Sequence, residues 1–177
     1  MKIFRLMNCR LLFVAAIVLL SACGFQLRGN VDLPEGVEPI YIGGIDRHSQ
    51  LALELQNLLT SSGIQLTNQV SDANYQLKIL NSTSNKRSTA LGEGALIVEY
   101  QLIETVNFEL LSKNGQRVLG PHKITERRIM PNDPNKVVSS NEEEKILRRE
   151  MLQNLAAKVV RQLQSFNFDG LTKADNN

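Results

Sequence analysis

The clearest pattern in this chain is an alternation of apolar and polar residues between positions 96 and 110. Apolar side chains recur there at every second position, namely at Leu96, Val98, Tyr100, Leu102, Val106, Phe108 and Leu110. A period of two is typical of a β-strand with one buried face and one hydrated face. Glu104 interrupts the apolar face, and a β-bulge near that residue is the expected explanation.

Further strands are predicted on both sides of this one, at residues 39–42, 64–70, 75–80 and 116–130. Asn114 and Gly115 precede the last of them and form a strong short hairpin signal, in which both central residues take positive φ. Pro121 favours an edge position or a bulge for that strand. The polar residues 81–87 are expected to form a loop.

A spacing of apolar residues near 3.6 predicts two helices. The first spans residues 49–62, with Asp46 or Ser49 as its cap, and Gly63 follows it at a position that favours a left-handed residue. The second starts near Ser140 or Asn141 and continues to about residue 166. Its expected start is a capping box made by Ser140 and Glu143.

The order of these elements indicates the α+β class. We expect a two-layer sandwich in which two α-helices pack on one face of a mixed four- to five-stranded β-sheet. The opening strand, helix and strand predict one right-handed parallel unit. The other face of the sheet is polar and needs water or a partner. The predicted domain covers residues 39–168, between a tether at 23–38 and a flexible tail at 169–177.

The start of the chain has the pattern of a lipoprotein signal peptide over residues 1–22. Three basic residues precede an uninterrupted apolar run at residues 11–20, which is too short to span a bilayer. The run ends in Leu20-Ser21-Ala22-Cys23, the lipobox pattern of bacterial lipoproteins, so Cys23 is the predicted lipidation site. The alternative is an ordinary secretory signal with an incidental cysteine. The residue after Cys23 is Gly24. In bacterial lipoproteins an aspartate at that position favours retention at the inner membrane. Its absence indicates an anchor in the inner leaflet of the outer membrane, with the domain in the periplasm.

Removal of this leader changes the charge that matters. Three basic residues and no acidic ones leave with it, so the formal net charge changes from +2 to −1. The mature chain therefore has no overall basic character that would indicate nucleic acid as a partner. Cys9 also leaves, and a lipidated Cys23 leaves no thiol for a disulfide.

The residues give little support to catalysis. His48 and His122 lie in no metal-ligand spacing, and we find no nucleophile, metalloprotease or phosphate-loop motif. We therefore predict no catalytic residues, no metal and no cofactor. Lys86 and Arg87, two cations in the expected loop, are better candidates for contacts with the phosphate groups of an anionic amphiphile.

Three segments together resemble the LptE family of lipopolysaccharide-assembly lipoproteins of Gram-negative bacteria. They are residues 23–29 (CGFQLRG), residues 98–102 (VEYQL) with 105–107 (TVN), and Asn141-Glu142 leading to residues 149–151 (REM). The resemblance implies a protein without enzymatic activity that plugs the lumen of the outer-membrane barrel LptD and helps that barrel assemble. It also implies binding of lipopolysaccharide during delivery to the outer leaflet.

The family's basic positions associated with lipopolysaccharide are occupied here by Glu93 and Ser139. Lys86, Arg87 and Lys136 lie close to them in the sequence and are therefore the candidate lipopolysaccharide-binding residues. Two other hypotheses remain open from the sequence. One is a lipid-anchored periplasmic module that binds another amphiphile or a peptide, and the other is a lipid-anchored hydrolase.

The lipobox generates a direct test. Cys23→Ser should abolish acylation, because the thiol that carries the lipid is gone, and membrane retention should fall since each buried methylene contributes about 0.8 kcal/mol. Metabolic labelling with a fatty-acid analogue measures this, with Cys9→Ser as the matched control. Equal labelling of the wild type and Cys23→Ser would show that another residue carries the lipid.

Overall fold

The computed structural model consists of a five-stranded mixed sheet with two helices on one of its faces. It describes residues 37–133, 136–166 and 168. The predicted signal peptide, Cys23, nearly all of the tether and the tail at 169–177 lie outside these described residues. The α+β class and the two-layer arrangement predicted from the sequence are confirmed.

The elements follow one another in the predicted order. The strands are β1 (Ile40–Gly43), β2 (Leu66–Thr67), β3 (Tyr75–Leu91), β4 (Ile97–Ser112) and β5 (Arg117–Pro131). The helices are α1 (Gln50–Ser61) and α2 (Val137–Ser165). The sheet order is β2-β1-β3-β4-β5, with β1 parallel to both of its neighbours and the remaining pairs antiparallel.

Helix α1 forms where its sequence signals place it. The Ser49 hydroxyl accepts a hydrogen bond from the Ala52 N–H at 3.4 Å, and Gly63 after the helix has φ 85°. Its buried leucines join the main core, which also contains residues of β1, β3, β4 and the second half of α2. Phe108 is fully buried there. The cap and the apolar face predicted for this helix are both confirmed.

A smaller second core lies towards the other end of the long strands. Within β3, only Tyr75–Lys78 pair with β1, so the rest of β3 extends beyond β1. In this distal half, buried Leu102, Met130 and Met151 pack with partly buried Tyr100 and Leu147. Because α2 supplies the helical residues of this core, the first half of α2 covers the distal half of the sheet.

Two sequence predictions about the long strands are wrong. The polar residues 81–87 are part of β3 rather than a loop, because β4 provides hydrogen-bonding partners along their whole length. No bulge occurs at Glu104, which pairs in regular register with Ser84 on one side and Glu126 on the other. The pairing of β3 with β4 is irregular instead at Ile79–Asn81 and at Ser88–Leu91 of β3. The pairing of β4 with β5 is irregular at Phe108–Leu111 of β4.

The hairpin at Asn114-Gly115 is confirmed, but its turn differs from the prediction. Gly115 has φ 75°, while Asn114 is not among the described residues with positive φ. The Gly115 N–H donates to the Ser112 carbonyl at 2.9 Å, and the Ser112 N–H donates to Gln116 O at 2.8 Å. A three-residue loop that ends in one left-handed glycine needs only that residue at positive φ. The edge position that Pro121 indicates for β5 is confirmed.

Two further boundaries need correction. The strand predicted at 64–70 is reduced to β2, because a short 3-10 turn at Val70–Asp72 ends it. Helix α2 starts at Val137, so Ser140 lies inside its first turn and the predicted capping box is absent. The Ser140 hydroxyl donates instead to the Lys136 carbonyl at 3.1 Å, as hydroxyls inside helices commonly do.

Candidate functional site

The distal half of the molecule contains two of the three candidate lipopolysaccharide-binding residues, Lys86 and Arg87. Both lie in β3, opposite Leu102 and Gln101 of β4 respectively. Successive side chains of a strand point to opposite faces. Lys86 therefore lies on the face covered by α2, and Arg87 lies on the open face. The two cations do not act from one mobile loop, as the sequence suggested.

Lys86 is held by two contacts. Its Nζ lies 2.6 Å from Glu144 Oε2 of α2 and 4.0 Å from the centroid of the Tyr100 ring. Its side chain is 31% exposed, so the ammonium bridges the helix and the sheet while it still reaches solvent. An ammonium has three donors, and one ion pair leaves capacity for a further acceptor.

Arg87 and Lys136 occupy more open positions. Arg87 Nε donates to Gln101 Oε1 at 3.0 Å on the open face of the sheet. Lys136 directly precedes α2, and its 72% exposed side chain lies 3.5 Å from Asp133. The candidate cations thus lie on both sides of the sheet and at the start of a helix, so the structure does not bring the three of them into one cluster.

A buried ion cluster lies next to Lys86. The Glu104 side chain is only 4% exposed, and its Oε1 accepts hydrogen bonds from Arg148 Nη1 at 2.5 Å and Ser84 Oγ at 2.7 Å. Arg148 Nη2 also lies 2.7 Å from Glu144 Oε1. We call Ser84, Lys86, Glu104, Glu144 and Arg148 the Glu104 cluster. Its two cations and two carboxylates neutralise each other, and its contacts join β3, β4 and α2.

The pKa values follow from these contacts. Partial burial opposes ionisation of Glu144, but hydrogen bonds from Lys86 and Arg148 outweigh it and hold its pKa below the ordinary glutamate value. Burial likewise opposes the charge of Arg148, yet its hydrogen bonds to Glu144 and Glu104 raise its pKa. Both side chains therefore remain charged at neutral pH.

Sequence reasoning missed the Glu104 cluster, although part of its signal was visible. Glu104 interrupts an otherwise apolar strand face, which is unusual for a side chain that is seldom buried without a partner. Glu144 and Arg148 have the i, i+4 spacing of a helical ion pair. The partner of Glu104, however, is 44 residues away in sequence, and only the packing of α2 on the sheet brings them together.

The open face of the sheet is polar, as predicted. The hydroxyls of Thr105 and Thr125 lie 3.1 Å apart across β4 and β5. Glu109 is nearly buried on this face, where it contacts Arg117 at 2.7 Å and Lys78 at 3.7 Å. On this face, the polar side chains of neighbouring strands thus pair with one another through hydrogen bonds and ion pairs.

The two histidines are far from any cluster that indicates catalysis. His48 is exposed before α1, where its backbone N–H donates to Asp46 Oδ1 at 2.9 Å. His122 is half-buried on β5, with its ring 5.8 Å from that of Phe108. Within residues 37–133, 136–166 and 168, no three His, Cys, Asp or Glu side chains form a group suited to a metal ion.

Neither helix in the described part of the chain combines the length and apolar character needed to cross a bilayer.

Comparison with known proteins gives a consistent family. The sequence profile of the LptE family, described as lipopolysaccharide-assembly, matches residues 37–163. LPS-assembly lipoprotein LptE of Pectobacterium atrosepticum is 25% identical over 156 residues, which cover 86% of this chain and 82% of the relative. The protein of the same name from Photorhabdus laumondii is 26% identical over 153 residues, covering 86% of this chain and 83% of the relative.

Solved structures share the fold. Lipoprotein B of Nitrosomonas europaea has a TM-score of 0.69 at 23% identity, over 85% of this chain and 96% of its own. A minor lipoprotein of Acinetobacter baumannii has a TM-score of 0.61 at 28% identity, over 75% of this chain and 94% of its own. The two-layer arrangement of helices on a mixed sheet is therefore shared with other bacterial lipoproteins.

The Glu104 cluster predicts a strong asymmetry between single and double substitutions. Arg148→Met should lower the free energy of unfolding by roughly 2–3 kcal/mol, because it leaves the buried Glu104 carboxylate without its charged partner. Glu104→Leu combined with Arg148→Met should recover most of that loss. Urea unfolding measures both, with the exposed Arg149→Met as control, expected within about 0.5 kcal/mol of wild type. A neutral Arg148→Met would show that the pair does not hold α2 in place.

The lowered pKa of Glu144 predicts a loss of stability in acid. Its ion pairs contribute fully above the unfolded-state pKa, near 4.5, and are lost as the pH falls below that value through the folded-state pKa. Glu144→Gln should flatten the fall in unfolding free energy as the pH drops below about 4.5. Glu143→Gln, at an exposed neighbouring position, should leave the fall unchanged. Identical profiles for wild type and Glu144→Gln would contradict the assignment.

Proposed function

The chain belongs to the LptE family of lipopolysaccharide-assembly proteins, and we propose that it is an outer-membrane lipoprotein that plugs and helps assemble the LptD barrel. In this role the protein binds lipopolysaccharide while the complex of the two proteins delivers the lipid to the outer leaflet. The observation that carries the proposal is the family match over residues 37–163, which includes both helices nearly complete and all five strands. The proposed role includes no catalytic step.

The open face of the sheet supports the proposed place inside a barrel. The interior of an outer-membrane barrel is polar, so a plug needs a surface that remains compatible with water and polar side chains. The threonine pair at Thr105 and Thr125 and the ion pairs of Glu109 give the open face that character. A rigid sheet with these groups already hydrogen-bonded loses little conformational entropy when it docks.

The membrane anchor in this proposal is acylated Cys23. An acyl-anchored chain needs no membrane-spanning helix, because several fatty-acid chains together supply stable attachment. The anchor holds the domain at the inner leaflet of the outer membrane, on the periplasmic side.

Lys86, Arg87 and Lys136 are the proposed contacts to lipopolysaccharide. Ammonium and guanidinium groups form charge-assisted hydrogen bonds with phosphate, which lipid A and the inner core carry. Arg87 and Lys136 have open side chains that reach a ligand directly. Lys86 contributes from its place beside Tyr100, where its remaining N–H groups donate to phosphate oxygens while Glu144 keeps the ammonium oriented. Since these residues lie on different surfaces, each contacts a different group of the lipopolysaccharide.

The charge reversals Arg87→Glu and Lys136→Glu, made together, test this assignment without disturbing the Glu104 cluster. Hydrogen bonds to charged groups contribute roughly 1.5–3 kcal/mol each, so binding of lipopolysaccharide should weaken tenfold or more. The measurement is binding of purified lipopolysaccharide to the acylated chain in detergent, with Arg149→Glu as the matched control. Capture of LptD by the same variant should persist, because the barrel contacts the wider surface.

Lys86→Gln is measured separately, with circular dichroism, since it also unpairs Glu144. Unchanged lipopolysaccharide binding in all variants would show that these cations are not the contacts. Failure of the wild-type chain to capture LptD would overturn the proposed function as a whole.

A further inference from the structure

The two edges of the sheet differ in a way that matters for partners. Strand β2, at one edge, has only two residues, Leu66 and Thr67. Strand β5, at the other edge, pairs with β4 in unbroken register over residues 122–131. In the part of the chain that the structure describes, nothing pairs with the outer side of β5. A long regular edge presents alternating N–H and C=O groups that can pair with another strand.

A groove runs beside this edge. It has a volume of about 510 Å³ and lies between Lys123 and Thr125 of β5 and Lys158, Arg161 and Gln162 of α2. One wall is therefore the exposed edge strand, and the other is the second half of α2. An extended chain that paired with β5 would run along the opening of this groove.

The charge around the edge is strongly one-sided. Residues 122–131 of β5 contribute three cations, and the α2 wall of the groove adds two more, giving Lys123, Arg127, Arg128, Lys158 and Arg161. The single carboxylate in these segments is Glu126, which is already paired with Lys158 at 2.5 Å. Lys123, Arg127 and Arg128 are exposed and form no ion pair within the described residues. This surface is complementary to an acidic partner.

The open edge decides the chemical class of the partner. Ionised phosphate offers only acceptors, whereas a polypeptide also offers main-chain N–H donors to the C=O groups along the outer side of β5.

We propose that the outer edge of β5 and the adjoining groove bind an extended, acidic polypeptide segment of a partner protein by strand addition. The side chains of an added strand alternate between the two faces of the sheet. Those on the open face meet Lys123 and Arg127, while those on the helix face meet Arg128 and Arg161. The inference rests on the described edge and groove alone and does not require the proposed function.

The test uses the full acylated chain and a short synthetic peptide in which pairs of glutamates alternate with pairs of threonines, so that both faces of the added strand carry carboxylates. Fluorescence anisotropy of the labelled peptide should show salt-dependent binding. Lys123→Gln with Arg161→Gln should weaken it about tenfold, since two charge-assisted contacts are lost. Arg149→Gln, which removes an exposed cation of α2 outside the groove, is the matched control and should bind as wild type.

A second peptide separates strand addition from simple charge attraction. It has the same sequence but is N-methylated at alternate residues on the side that would pair with β5, so it lacks those main-chain donors. Binding of this peptide should fall at least tenfold. Equal binding of both peptides, or equal binding to wild type and the groove variant, would overturn the proposal. So would loss of lipopolysaccharide binding without loss of peptide binding in the groove variant, because the groove would then serve the lipid.

Discussion

The distal half of this domain depends on the neutralisation of one buried carboxylate. Glu104 lies on the helix-facing side of β4, where three buried apolar side chains form only a small core. Arg148 supplies the compensating charge, and Glu144 orients Arg148 from one helical turn away. A buried ion pair contributes little to net stability compared with apolar packing, but its geometry is directional. The pair therefore fixes the rotation and the axial position of the first half of α2 on the sheet. The small apolar core alone would specify these less precisely, because apolar packing is not directional.

The same interaction positions one of the candidate ligand-binding residues, Lys86. Glu144 is shared between Arg148 and Lys86, so the position of the Lys86 ammonium follows from the arrangement that neutralises Glu104. Tyr100 contacts the Lys86 ammonium from the sheet through the face of its ring. The candidate cation nearest the core is therefore held by several groups of the fold, while Arg87 and Lys136 lie at more exposed positions. The Glu104 cluster therefore includes one of the candidate ligand-binding residues.

The sequence predicted those parts of the fold whose signals are local. The alternation in β4, the cap and leucine face of α1 and the hairpin at Asn114-Gly115 all depend on residues close together in the chain. The second half of β3 carries no such signal, because its polar residues become a strand through pairing with β4. The Ser140 capping pattern is equally local, yet α2 begins before it. Local signals therefore identified most elements but not all of their limits.

The candidate site was less accessible to sequence reasoning for a geometric reason. Lys86 and Arg87 are adjacent in sequence, and only the assignment of β3 as a strand separates them onto two faces. The break in apolar pattern at Glu104 was visible, but its explanation required Arg148 from another element. Position relative to a sheet face is a property of tertiary structure, and it decides which contacts each of these residues makes.

The placement of α2 also determines when the domain can finish folding. Its residues Leu155, Val159 and Leu163 complete the main core, and Met151 completes the distal one. Helix α2 follows all five strands in the order of the described elements, so a polypeptide that emerges N-terminus first cannot close either core until α2 has followed. The β3–β4–β5 meander can pair earlier through its sequential hairpins, but it does so with an uncovered apolar face. Closure of both cores therefore waits for a helix that follows the whole meander in the chain, and the apolar face of the meander needs protection until that helix arrives.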